Sequence, residues 1–88
     1  MLLRQLEYIL AVQKFKSFTK AADHCCVTQP TLSQQIKTLE DSLGIEIFNR
    51  GTIPVVPTTS GKIILEQATR VVEQANALKK LAKDLVNT

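Results

Sequence analysis

Two helical patterns with almost no chain between them, SFTKAADHCCVTQPTLSQQIKTLEDSLG over residues 17–44, restrict the possible folds more than any other feature. Ser17 is a good N-cap, and Phe18 to Cys25 reads as a short helix. Cys26-Val27 is then the turn. Thr28 caps the next helix, Pro30 lies in its first turn where a missing N–H costs nothing, and Gly44 ends it as a left-handed cap. Helices joined this tightly must cross at once, and the small Ala21 and Ala22 let a neighbour approach closely. The spacing is that of a helix-turn-helix.

The flanks complete the outline. Residues 2–14 read as a first helix with Leu3, Leu6, Ile9, Leu10 and Val12 inward. After Gly44 the period changes: Ile45, Ile47 and Phe48 predict one short strand and Val55-Val56 a second, joined by the loop NRGTIP. Thr58 or Thr59 caps a long last helix running to about Val86, with Gly61 near its start allowing close packing at about 1 kcal/mol of helix propensity. The fold class expected is mainly α: a winged helix-turn-helix with a small β-hairpin wing over residues 1–58, then a linker and dimerisation helix over residues 59–88.

The front of the third helix carries the functional reading. Leu32, Ile36, Leu39 and Leu43 fall within about 60° of one another around the helix and pin it inward. Pro30, Gln34, Lys37 and Asp41 point the opposite way, Thr31, Ser33 and Thr38 flank that outer face, and Gln29 lies at the tip. A DNA major groove admits one helix and displays donors, acceptors and thymine methyls. Gln pairs with an adenine edge, Ser and Thr with several edges, and Thr31 or Pro30 can touch a thymine methyl. The helix N-terminus and Lys37 suit phosphate, and the acidic pair Glu40-Asp41 lies at the far end, away from it. A purely structural reading stands beside this one, since Ser, Thr and Gln are ordinary surface residues and Thr28 can be only a cap.

Composition bears on what else the chain can be. It has 88 residues, a net charge of +3 and a pI near 9.1, which fits an anionic partner weakly. No apolar run reaches the ~18 residues of a membrane span and no signal peptide is evident, so a cytoplasmic protein is expected. Adjacent Cys25 and Cys26 close no useful loop, and with His24 they make a poor metal site, so neither disulfide, metal nor cofactor is expected. One cysteine is read as core and the other as surface. No Ser-His-Asp set, phosphate loop or paired-carboxylate cleft marks an enzyme.

With these residues in view, SFTKAAD, VTQPTLSQQIKTLEDSLGIEIFNR and TTSGK resemble the N-terminal domain of LysR-type transcriptional regulators, over about residues 3–70. LEYILAV and AAD…QPTLS…LEDSLG look especially like the peroxide-sensing branch of that family. The resemblance implies that the third helix reads the major groove and the wing an adjacent minor groove. It assigns base or phosphate contacts to Gln29, Pro30, Thr31, Ser33 and Gln34, with Arg50 anchoring the wing. Two departures stand out: Gln34 occupies a frequent arginine position, and Ile53, Pro54 and Val56 replace basic wing residues. The resemblance also implies a following effector-sensing domain, so the chain is expected to be a piece of a longer regulator. The branch's sensing cysteines belong to that domain, and their chemistry is not transferred to Cys25 or Cys26.

The last helix has its own pattern. Ile64, Ala68, Val71, Ala75, Leu78, Ala82 and Leu85 recur at spacings of 4 and 3, an a/d seam with alanine at every second position. An antiparallel helix pair between two subunits is predicted, giving a homodimer on an inverted-repeat DNA site, with a tetramer for the complete regulator. Lys16, Lys20, Lys37 and Arg50 are candidate phosphate contacts, and a dimer neutralising about six phosphates gives a log–log salt slope of about −5. The rival is a winged helix that binds a protein through the third helix or the arm.

Overall fold

The computed structural model describes residues 1–88. Its elements are α1 (Leu3–Phe15), α2 (Phe18–Cys25), α3 (Gln29–Leu43), β1 (Phe48–Asn49), β2 (Val56–Pro57) and α4 (Thr59–Val86). Each helix begins where the sequence supplies a partner for its free amides. The Gln5 side chain accepts from Leu2 N at 3.0 Å, Ser17 Oγ from Lys20 N, Thr28 Oγ1 from Thr31 N and Thr58 Oγ1 from Gly61 N. The first three helices end on left-handed residues, Lys16, Cys26 and Gly44, which turn the chain sharply.

The core is aliphatic and continuous. Leu6, Ile9 and Val12 of α1, Ala21, Ala22 and Cys25 of α2, Leu32, Ile36 and Leu39 of α3, Ile47, Phe48 and Leu65 are all buried. Leu3, Leu10 and Leu43, expected fully inward, are half-buried at its margin, while Tyr8 and Ala11 join it. Buried Gln5 donates to Gln35 Oε1 at 3.0 Å, tying the start of α1 to α3.

The strands are shorter and later than the alternation predicted. Phe48 pairs with Pro57 and Asn49 with Val56 in an antiparallel ladder, and Ile45 and Ile47 lie outside it. The amide of Ile47 is taken by Glu40 and its carbonyl accepts from Thr58 N at 2.9 Å, so it is not free to extend a strand. The wing is held at its base, where Val55 N donates to Lys16 O at 3.2 Å, while Ile53 at the tip is fully exposed.

Helix α4 has 28 residues, about 42 Å at 1.5 Å per residue, and gives the molecule a long axis of 51 Å against 25 and 20 Å. Its first turns belong to the core. Gly61 crosses Ile47 so closely that a Cβ there would sit 2.0 Å from the Ile47 carbonyl oxygen. Leu65 and Ala68 are buried, and Ile64 and Val72 pack at the core's edge. The packed body therefore extends past residue 58, and from Asn76 onward every residue of the helix is exposed.

Candidate nucleic-acid interface

Leu32, Ile36 and Leu39 are wholly buried, so the opposite face of α3 points away from the body. Gln29, Pro30, Thr31, Gln34 and Lys37 are exposed there, and Ser33 is half-buried at the edge. No side-chain hydrogen bond holds Gln29. Thr31 Oγ1 accepts from the Thr28 hydroxyl at 2.8 Å, and the Gln34 amide lies along the helix toward Thr38 Oγ1, 3.5 Å away. Lys37 is 3.6 Å from Asp41, an exposed pair one turn apart that holds the ammonium only weakly. The surface thus offers amides, hydroxyls and one exposed cation, with the uncapped Thr28 and Gln29 amides of the helix N-terminus beneath them.

The structure corrects the reading of Glu40. It is buried, not part of an exposed acidic end: Glu40 Oε2 accepts from Ile47 N at 2.7 Å and from Phe48 N at 3.4 Å. On the helix circumference Glu40 lies about 40° from Ile36, whereas Asp41 lies about 140° away. That proximity to the apolar stripe was the available signal.

Arg50 follows β1 directly and sits at the wing's base, not its tip. Its guanidinium donates to Ser33 Oγ at 2.6 Å and to Ser33 O at 3.4 Å, meets Glu40 Oε1 at 3.3 Å, and lies 4.8 Å from the centre of the Phe18 ring. Phe18 in turn meets Phe48 edge-on at 6.1 Å. Arg50 therefore joins α2, α3 and the wing, and its donors are largely engaged within the protein. Lys16 and Lys20 are exposed on the α1–α2 turn and in α2.

On α4 the seam divides. Ala68 is buried in the chain's own core and Ile64 is half-buried at its edge, so of the seven seam positions Ala68 alone is covered by the body. Val71, Leu78 and Leu85 are exposed, Ala82 is exposed between them, and Ala75 is half-exposed. Leu81, outside the seam, is also exposed and widens the apolar stripe. The face Gly61, Leu65, Ala68 and Val72 turns to the body, and the stripe Val71, Leu78, Ala82 and Leu85 lies roughly 100° around the helix from it. A partner on the stripe leaves the body undisturbed.

Cys25 is buried and Cys26 exposed, both as free thiols. Burial pushes the Cys25 thiol above its ordinary value. No group of three or more His, Cys, Asp or Glu side chains converges, and no helix is long and apolar enough to cross a membrane.

A short helix crossed by an exposed second helix, backed by α1 and flanked by a two-stranded wing, defines a winged helix-turn-helix. Residues 3–62 match the family described as bacterial regulatory helix-turn-helix protein, lysR family, and the chain belongs to that family of transcriptional regulators. It is 44% identical over 82 residues to a hydrogen peroxide-inducible genes activator of Haemophilus influenzae, covering 93% of this chain and 27% of that protein. It is 39% identical over 85 residues to the HTH-type transcriptional regulator BenM of Acinetobacter baylyi, covering 97% of this chain and 28% of that one. Among solved structures, a BenM DBD complex with benA site 1 DNA superimposes with a TM-score of 0.93 at 40% identity, covering 98% of this chain and 97% of that one. The chain spans little more than a quarter of the length of these curated relatives.

Proposed function

We propose that this chain binds duplex DNA sequence-specifically, as a symmetric dimer that places the front of each α3 in a major groove. The observation that carries the reading is the exposed, uncharged tip Gln29-Pro30-Thr31 with Gln34, held outward by the buried ridge Leu32, Ile36 and Leu39. Such a tip matches base edges in chemistry, and one helix matches the groove in width. Lys37 of α3 and the exposed Lys16 and Lys20 supply phosphate contacts. The wing, with Ile53 and Pro54 at its tip, meets the flanking minor groove through apolar atoms.

Two copies pair along Val71, Ala75, Leu78, Leu81, Ala82 and Leu85 in antiparallel fashion. Alanines allow close approach and the leucines of the partner cover them. This sets the two tips apart on one face, so the site is an inverted repeat whose half-sites lie one helical turn or more apart, with ~34 Å per turn. Within a complete regulator of the family, the domain serves a C-terminal effector-sensing part, assembles into a tetramer and acts in the cytoplasm. It has no catalytic role of its own and uses no cofactor.

The exposed leucines of the arm also favour a second reading, a docking face for a different protein. A second copy explains them with less, because the alternating Ala and large residues complement each other. The test is fluorescence anisotropy on duplex DNA and on heparin across a salt series. Dimeric binding with a log–log slope of about −5 on DNA supports the reading. A flat salt response, or heparin bound as well as any DNA sequence, sinks it.

A further inference from the structure

Among the hydroxyls along these helices, Ser33 is the one that accepts a hydrogen bond from a cation. Thr38 and Thr69 each donate to the carbonyl one turn back, Gln34 O at 3.0 Å and Leu65 O at 2.9 Å. Ser33 has no such bond, and its oxygen only accepts, from Arg50 Nη1 at 2.6 Å. A serine hydroxyl has one proton and two lone pairs. A cation on one lone pair polarises the group, so the remaining O–H becomes a stronger donor. The same cation makes the oxygen a poor acceptor for any further N–H.

The cation itself is fixed from three sides. Glu40 Oε1 holds Nη2, Ser33 O holds Nη2 a second time, and the Phe18 ring lies under the guanidinium. Glu40 is anchored in turn by the Ile47 and Phe48 amides. We propose that Arg50 is a positioning residue for DNA recognition: clamped by Glu40 and Phe18, it turns the half-exposed Ser33 hydroxyl into a dedicated outward donor. Ser33 then selects a hydrogen-bond acceptor on the duplex and rejects an amino group. The acceptor is a purine N7, a guanine O6, a thymine O4 or a phosphate oxygen, all of one chemistry. The proposal rests on the DNA-binding reading above, and it removes Arg50 from the set of phosphate contacts.

A double-mutant cycle tests it, with Ser33→Ala, Arg50→Met and the pair measured against an operator that the wild-type chain selects from random duplex DNA and against a random duplex. If the wild-type chain binds neither duplex, it is the DNA-binding reading that falls. Given binding, Ser33→Ala weakens the operator complex about tenfold over the two half-sites, and Arg50→Met weakens it comparably. In the Ser33→Ala background Arg50→Met has less than about a twofold further effect. The salt slope stays unchanged in all variants, since no cation is withdrawn from a phosphate. Additive losses with a slope reduced by about 0.9 for each phosphate released would overturn the proposal. A Ser33→Ala loss confined to the operator identifies a base acceptor, and an equal loss on random DNA identifies phosphate; both sustain the donor role. Should Arg50→Met unfold, Arg50→Lys replaces it: Lys keeps the charge but cannot span Ser33 and Glu40 together. Its loss of affinity at unchanged slope supports the positioning role, and full retention of affinity refutes it.

Discussion

Replacing Gly61 by alanine sets two effects of opposite sign against each other. Position 61 lies in the first turn of α4, where the helix crosses the backbone of Ile47. In an open helix, alanine would gain about 1 kcal/mol over glycine. Here its Cβ would stand 2.0 Å from Ile47 O, 2.7 Å from Ile47 C and 2.9 Å from Ile47 Cα. Ordinary contact begins near 3.4 Å, so α4 and the 45–48 segment must separate by about 1.4 Å. The obstacle is backbone, which cannot rotate aside as a side chain does. Its Ile47 amide and carbonyl are also held by Glu40 and Thr58. Overpacking of this kind costs about 1–3 kcal/mol, and its upper end applies. The net is a destabilisation of about 2 kcal/mol, or a fall in Tm of about 10 °C for a chain of this size. Thermal unfolding followed by circular dichroism measures it, at one fixed protein concentration because the chain is expected to dimerise. Ser60→Ala, exposed and one residue earlier, is the control and stays within about 0.5 kcal/mol of wild type. A Gly61→Ala protein as stable as wild type, or more so, would refute the close crossing.

Other changes separate the remaining claims. Glu40→Ala strands the Ile47 and Phe48 amides and the Arg50 cation, and urea unfolding is expected to show a loss of about 3 kcal/mol; a loss under ~1 would mean the carboxylate is dispensable. Leu78→Glu with Leu85→Glu yields a monomer by sedimentation, whose melting no longer depends on protein concentration; a persistent dimer would move the interface elsewhere. Cys26 reacts with a thiol reagent at the rate of a free thiol and Cys25 only on unfolding; equal rates would contradict their placement. Because burial raises the folded Cys25 value, the unfolded chain loses that proton first. Stability from this group is complete below about pH 8.5 and declines as pH rises through the folded value, a decline absent in Cys25→Ala.

The local grammar of this chain was legible because each signal acts within a few residues. Ser17, Thr28 and Gly44 bound α2 and α3 where caps require, and the aliphatic stripe of α3 is buried as its period demands. What escaped reading depends on groups distant in sequence. Glu40 looks like a solvent carboxylate until the 47–48 amides fold over it, and Arg50 looks like a free wing cation until Ser33 and Phe18 come to meet it. The seam of α4 is a real period, but the body takes Ala68 and part of Ile64, because the same helix must close the core beside Leu65. Periodicity ranks the faces of a helix; it does not say which neighbour reaches each face first.

The claim on which the rest depends is that the tip of α3 reads base edges. The most direct measurement is selection of bound sequences from random duplex DNA, run side by side with wild type, Gln29→Ala and Gln34→Ala. Wild type is expected to enrich an inverted repeat, and each variant to lose preference at its own discrete position in both half-sites while keeping the rest. Identical enriched sequences from all three proteins would contradict it.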